Sequence, residues 1–442
     1  MNNSKISKNT AIVFLFDALL VCISIIITLL NSEGKFDIIS AVLVIIFSGI
    51  TAYRGRKNWY TLMMSVIILY YNYSICVAEY ISVKKNTIFT SYAGSHIANE
   101  GIKILLIFNI LFFIVINTVS KRSGFMRSNC TIIYDNGNNN LIVLGLFILL
   151  VLIWIFGFGR PEHVGDRGSP STYFEYAIIL IIMGFYYSGS SKSKHLLFTG
   201  VSFAYALLNF LYGGRATGVQ VLLCLLLCAY IDKIDNKWLL IGGFLTFFAM
   251  SIIGSFRGSW SINTETVSST WQSIINSKFT NDTAFSAYHT SMTFIDYLSL
   301  CSWSDRFYYF SRYLLYLPFG GSIYDSNLSQ ITRKYYTHYY GGVLPYYFYF
   351  YLGCIGIFLL AVYLYFLISS IIKGSNSNKP FWRCAGIYVT STTFRWYIYS
   401  PSQITRGLLI FIVVFYGLHY FDKVSKNKQM HVKGEINEGL SS

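Results

Sequence analysis

NLIVLGLFILLVLIWIFGFG, residues 140–159, carries no charged side chain over its whole length. An α-helix of about twenty apolar residues spans the roughly 30 Å hydrocarbon core of a bilayer. A surface helix of a soluble domain keeps a polar face, and this stretch has none. On either side, similar runs recur at roughly 11–31, 37–53, 59–82, 102–120, 173–189, 195–212, 217–231, 238–255, 344–372, 384–400 and 405–421, giving about twelve spans. The run at 217–231 is short, so it takes in neighbouring residues or crosses a thinned region. In lipid only helices and closed barrels satisfy every backbone polar group, and these long unbroken runs are not the ten-residue alternations of barrel strands. The predicted fold class is an all-α polytopic membrane protein with one large non-cytoplasmic loop containing short amphipathic helices.

Composition agrees. Of 442 residues, 54% are hydrophobic and 12% charged, where a soluble chain carries about a quarter charged. A net charge of +15 would point a soluble protein towards nucleic acid. Here the basic residues sit mostly in short connections between apolar runs, as the positive-inside effect produces, so no nucleic-acid partner is expected. With the amino terminus inside, cytoplasmic segments hold 19 Lys and Arg against 8 in the short exterior connections. Both termini are therefore expected in the cytoplasm and the long segment 257–342 outside. The run from Ala11 to Leu30 follows Lys5 and Lys8 with no small-residue cleavage site behind it, and reads as a retained first helix.

Four regions follow: nine helices over 1–256, a loop over 257–343, three helices over 344–422, and a polar, mobile cytoplasmic tail over 423–442. The loop holds Trp260, Trp271, Trp303 and eleven tyrosines, too aromatic for a disordered segment. Asn281-Asp282-Thr283 is placed to cap a helix through Ala284, Phe285, Tyr288, Met292, Ile295 and Leu298. A second helix sets Phe307, Phe310, Leu314 and Leu317 on one face, and Pro318-Phe319-Gly320-Gly321 ends it. Both are expected along the membrane surface, apolar face down.

Of eight cysteines only Cys301 is expected outside, so no disulfide framework is predicted, and the i, i+4 pair Cys224 and Cys228 reads as helix packing. No P-loop, Rossmann glycine pattern, zinc-protease motif or Asp-x-Asp pair occurs. Neither a metal nor a cofactor is expected. An exterior reaction then needs an activated donor delivered through the membrane.

The exterior arginines are the candidates. Tyr212-Gly213-Gly214-Arg215-Ala216-Thr217-Gly218 forms a tight turn feeding a helix whose N-terminal amides favour an anion. Arg215 would complete a phosphate site there, guanidinium binding phosphate bidentately; an interface arginine snorkelling outward is the other reading. Arg257 ends span nine, Arg395 is expected about one turn inside span eleven, and Arg406 reads as an anchor at the mouth of the last span. An ionisable residue within a span marks a functional site or snorkels to the interface. Arg306 and Arg312 flank the second loop helix, six residues apart, so a straight helix would not point both at one ligand. His338, in Lys334-Tyr335-Tyr336-Thr337-His338-Tyr339-Tyr340, is a candidate base for a sugar hydroxyl or a packed histidine. Glu79 and Glu175 are weaker base candidates, and Asp17 reads as structural. Aromatic residues of the loop suit a saccharide face or an interfacial belt.

Gly213-Gly214-Arg215 leading into a short span, Phe256-Arg257-Gly258 opening a large exterior loop, Gly342-Val343-Leu344-Pro345, and Tyr351-Leu352-Gly353-Cys354-Ile355-Gly356 come together with the twelve-span layout. In these the chain resembles the O-antigen polymerase family, the repeat-unit polymerases of bacterial surface polysaccharides. The resemblance implies a metal-independent glycosyltransferase at the periplasmic face of the inner membrane. Its substrates would be oligosaccharide repeat units on undecaprenyl pyrophosphate, and a chain-length regulator protein is among the implied partners. It further implies that Arg215 and Arg257, with Arg395, stabilise the leaving diphosphate. His338 would act as base, while Arg306, Arg312, Tyr339 and Tyr340 would hold saccharide or a second diphosphate.

Overall fold

The computed structural model describes residues 8–31, 34–81, 95–122, 139–159, 171–212, 214–231, 272, 275–276, 278–280, 282–321, 323–338 and 341–439. Its elements in chain order are α1 (Lys8–Leu30), α2 (Asp37–Gly55), α3 (Trp59–Cys76) prolonged by a π-helical turn (Val77–Ile81), and α4 (Ser95–Arg122). Then come α5 (Asn140–Gly157), α6 (Thr172–Tyr187), α7 (Lys192–Leu211), and α8 (Arg215–Leu225) with a second π-helical turn (Leu226–Tyr230). The remainder is α9 (Asp282–Tyr297), α10 (Trp303–Phe319), α11 (Leu328–Thr332), α12 (Leu344–Leu352), α13 (Cys354–Asn376), α14 (Pro380–Ser391), α15 (Thr393–Trp396) and α16 (Ser402–Gly439).

Among the described residues six helices are long and apolar enough to cross a membrane: Asp37–Gly55, Trp59–Ile81, Ile97–Lys121, Asn140–Gly157, Cys354–Asn376 and Ser402–Asn427. Leu15–Leu30, Tyr173–Tyr187 and Arg215–Tyr230 are shorter apolar helices. The run expected at 238–255 lies outside the described residues. This is an α-helical membrane-type protein, with starts set by local chemistry. Asn58 caps α3, Asn139 caps α5 and Ser171 caps α6, each side chain accepting from first-turn amides that have no helical partner. Ser302 and Asp305 close a capping box on α10.

The chain divides into two compact units. The first takes Met1–Phe125, Ile274–Ser369 and Tyr397–Pro401. In it α2 packs between α3 and α4. A buried polar net crosses all three: Ser48 Oγ donates to Asn109 Oδ1 at 2.8 Å, and Asn72 Nδ2 donates to both, at 2.9 and 2.8 Å. The Tyr397 hydroxyl closes it on Asn72 Oδ1 at 2.6 Å. Such bonds between membrane helices contribute about 0.6–2 kcal/mol each. Nearer the other helix ends, Arg54 Nη2 donates to Asp17 Oδ1 at 3.0 Å and Asn117 Nδ2 to Asp17 Oδ2 at 3.3 Å, tying α1, α2 and α4.

The second unit takes Met126–Ser273, Ser370–Trp396 and Ser402–Ser442. Here α5 packs on α6 and α7, α7 on α8, and α14 on α6, α8 and α16. Leu141, Leu144, Ile148, Leu152, Ile155 and Phe156 leave one side of α5 bare, Phe156 to 81% exposure. That contiguous apolar side is what a lipid-facing helix presents.

Four sequence expectations change. The tenth span is two helices, because Gly353 takes φ +65°, a left-handed conformation that stops α12. The eleventh also breaks: Ser391, Thr392 and Thr393 turn their hydroxyls back onto the carbonyls of Ile387, Tyr388 and Val389, and α14 ends there. The first loop helix, α9, does not lie on a surface. Ala284, Phe285, Tyr288, Met292 and Phe294 are buried together with His289, Ser291 and Thr293, because α3, α4, α11 and α12 all pack on it. Finally, α16 runs through the expected tail to Gly439, helped at its last buried turn by Lys426 reaching Asp422 at 2.9 Å. By contrast α10 keeps Trp303, Phe307, Leu314, Leu315 and Phe319 uncovered, as an amphipathic surface helix would.

Candidate functional site

Polar contacts join helices within each unit: Glu79 meets His289 and Tyr349 meets Glu100 in the first, and Glu175 meets Arg395 and Asn139 meets Asp422 in the second. Two groups of candidate side chains result, one in each unit.

In the second unit Arg215 is the first residue of α8. Gly214 before it has φ −82°, so its need for glycine is one of space: a Cβ there would lie 2.7 Å from Asn209 Oδ1. The Gly214 amide donates to the Asn209 carbonyl at 2.7 Å, and the chain turns from α7 into α8 with no side-chain cap on the first amides. Gly213 lies outside the described residues. Arg395 is not inside span eleven but on α15, the separate turn beyond the break. This turn packs against α8 and α16, and Trp396 anchors it through Nε1 on the Val389 carbonyl at 2.9 Å. Arg395 Nη2 is held by Glu175 Oε1 of α6 at 2.5 Å, while its buried Nη1 makes no hydrogen bond among the described residues. Arg406, on α16, lies 5.8 Å from the Tyr176 ring centre, an interfacial cation–π contact. Thus α6, α8, α15 and α16 bring Arg215, Arg395, Glu175 and Arg406 to one end of the unit. Arg257 lies outside the described residues.

In the first unit His338 is half-buried, with Nε2 2.9 Å from the Thr332 hydroxyl of α11. The segment after it is stitched down: the Gly342 and Leu344 amides donate to the Ile398 and Tyr397 carbonyls at 3.1 and 2.7 Å. The Val343 amide donates to Ser291 Oγ of α9 at 2.8 Å. Tyr339 and Tyr340 lie outside the described residues.

Arg306 has a structural engagement that sequence reasoning missed. Its Nε donates to the Phe350 carbonyl at 2.5 Å and Nη2 to the Tyr349 carbonyl at 3.1 Å, so it closes the C-terminal end of α12. Burial pushes the guanidinium below its usual pKa, and it remains cationic at neutral pH. Arg312 donates to the Tyr324 carbonyl at 3.0 Å, pinning the chain that leaves α10. As the spacing required, these two arginines serve different partners.

Glu79 has a partner in the structure. The π-helical turn at the end of α3 presents it to His289 of α9, with 3.3 Å between Glu79 Oε2 and His289 Nε2. Beside them the Tyr80 and Tyr288 hydroxyls bond to each other, and Tyr80 also donates to the Ala98 carbonyl at 2.6 Å. A distance of 210 residues separates the acid from the imidazole, so no local motif could announce the pair. Among the described residues no group of three or more His, Cys, Asp or Glu side chains gathers as a metal site would need. No protein-family model matches the chain, and no curated protein or solved structure matches it either.

Proposed function

We propose that this chain polymerises oligosaccharide repeat units carried on undecaprenyl pyrophosphate, at the periplasmic face of the bacterial inner membrane. The observation that carries the reading is the placement of Arg215 on α8 and Arg395 on α15, two elements packed on each other at one end of the second unit. The short motifs shared with the repeat-unit polymerases support it from the sequence side.

In the proposed reaction a hydroxyl of an incoming lipid-linked unit attacks the anomeric carbon of the growing chain. The bond from that carbon to the lipid diphosphate breaks, and the diphosphate leaves with its electron pair. Charge then develops on the diphosphate oxygens, and preorganised guanidinium donors in a water-poor site are the largest stabilising contribution available. Arg215 and Arg395 take this role with Arg257. Glu175 holds Arg395 by one nitrogen in a fixed orientation, which limits the reorganisation needed when the diphosphate arrives.

The test is the surface-polysaccharide ladder. Deleting the gene should leave lipid A capped with a single repeat unit; a ligase or a repeat-unit flippase would leave no capped unit. Arg215→Ala and Arg257→Ala, at normal membrane levels, should reproduce the deletion. Full-length ladders from both variants would overturn the assignment of the diphosphate site.

A further inference from the structure

The proposed transfer needs a group to take the proton from the acceptor hydroxyl, and the arginine end of the second unit holds one. Among the described side chains of that unit two are carboxylates, Glu175 and Asp422, and two are imidazoles, His195 and His419. Three of these lie far from the arginines. His195 is in the first turn of α7, about 24 Å of helix before the turn that leads to Arg215. His419 and Asp422 follow Arg406 by about 20 and 24 Å along α16. Glu175 is at the arginines themselves. Its Oε1 meets Arg395 Nη2 at 2.5 Å, and the ring of its neighbour Tyr176 lies 5.8 Å from the Arg406 guanidinium.

A clip between α6 and α15 would explain an ion pair on its own, and Asp17 in the first unit shows what such a clip looks like. Arg54 Nη2 reaches both Asp17 oxygens, Asn117 adds a bond to Oδ2, and 7% of the Asp17 side chain is exposed. Glu175 is held differently. Arginine and carboxylate bind most firmly through two parallel bonds. Here Arg395 Nη1 makes no hydrogen bond and none reaches Glu175 Oε2, among the described residues. The Glu175 side chain is 30% exposed against 15% for Arg395, so the carboxylate is on the open side of the pair. Nor does it cap its own helix, because Ser171 accepts from the Phe174 amide there. One oxygen is fixed and the other is open to solvent. That is the arrangement a positioned general base requires.

Resting on the polymerase reading, we infer that Glu175 is the general base for the acceptor hydroxyl. Its Oε2 takes the proton while Arg395 holds the carboxylate through Oε1. The acceptor oxygen forms its bond to the anomeric carbon as its proton passes to Glu175. The bond from that carbon to the diphosphate breaks, and both electrons leave on the diphosphate, whose charge the arginines take up. Glu175 then releases the proton to water at its exposed edge. His338, in the first unit, keeps its contact with Thr332.

Azide separates a base from the rest of the site, because it attacks an anomeric carbon with no proton to lose. Full-length wild type, Glu175→Gln and Glu175→Asp are compared in membranes, using lipid-linked repeat units extracted from a deletion strain, in the presence of sodium azide. Polymer and glycosyl azide are quantified together by mass spectrometry. Glu175→Gln keeps an oxygen for Arg395 and loses the basic site. Its ratio of polymer to glycosyl azide should fall by about 100-fold or more. A side chain that only clips α15 in place would lower both products together and leave the ratio alone.

An unchanged ratio in Glu175→Gln, whether both products persist or both fall, overturns the inference. Should that protein fail to accumulate, Glu175→Asp carries the test, since its carboxylate is one methylene short of the acceptor. Its ratio should fall by about tenfold or more, and an unchanged ratio overturns the inference equally. Failure of the polymerase reading looks different: wild-type membranes would then form no polymer from these units, and the deletion strain would keep its full ladder.

Discussion

Replacing Arg306 with alanine separates two roles that the sequence left together. The guanidinium donates to two carbonyls, of Phe350 at 2.5 Å and Tyr349 at 3.1 Å, and its carbon stacks 3.9 Å over the Trp303 ring centre. Charged-donor hydrogen bonds contribute about 1.5–3 kcal/mol each when buried. This side chain is only half-buried, which puts the two bonds near the lower end of that range. The ring contact adds about 0.5–1 kcal/mol. Arg306→Ala should therefore cost about 3–4 kcal/mol in the unit that contains α12. Arg306→Lys should recover less than half, because an ammonium lacks the planar fork that reaches both carbonyls. The assay is thermal unfolding in detergent read by a thiol-reactive fluorophore. Cys76, Cys224, Cys228 and Cys384 are buried and become reactive only on opening. A midpoint several degrees lower is expected, with weaker polymer explained by lower protein level. An unchanged midpoint with polymer lost would refute the reasoning and make Arg306 a substrate contact.

Two further outcomes follow from packing and from thiol chemistry. A Cβ on Gly356 would sit 2.0 Å from the Phe348 carbonyl oxygen, whereas Gly145 has open space around it. Gly356→Ala should destabilise by about 1–3 kcal/mol or more, and Gly145→Ala should be neutral or stabilise by up to about 1 kcal/mol, both read by the same melting assay. Burial pushes the Cys301 thiol above its usual pKa, and the thiolate is the reactive form, so labelling should be slow at pH 7 and quicken as pH rises. With Cys22, Cys130 and Cys354 changed to serine, an impermeant maleimide should reach Cys301 in intact spheroplasts. Labelling only after permeabilisation would place this loop in the cytosol and remove the donor from its reach.

Much of the layout could be read from sequence because its causes are local. Apolar runs and the loop helices around Phe285 and Phe307 depend on residues within a few turns of one another. The candidate arginines were also visible as charges where lipid makes charge expensive. Their partners were not. Arg306 bonds carbonyls more than 40 residues away, and nothing in its own helix says so.

Interruptions were legible only in hindsight. Gly353 and the run Ser391-Thr392-Thr393 stop helices that hydropathy alone would carry through, because a transfer scale scores side chains and is blind to φ and to hydroxyls bonding backwards. The same blindness hid the fate of α9, whose amphipathic pattern suits a membrane surface as well as a crowded core. The sequence by itself determined that this chain is helical and apolar enough for a bilayer, since each span satisfies its own backbone. Tertiary structure alone decided that Glu79 meets a histidine while Glu175 meets an arginine. Charge pairing is a property of space, and helices hundreds of residues apart had to pack before either acid had a partner.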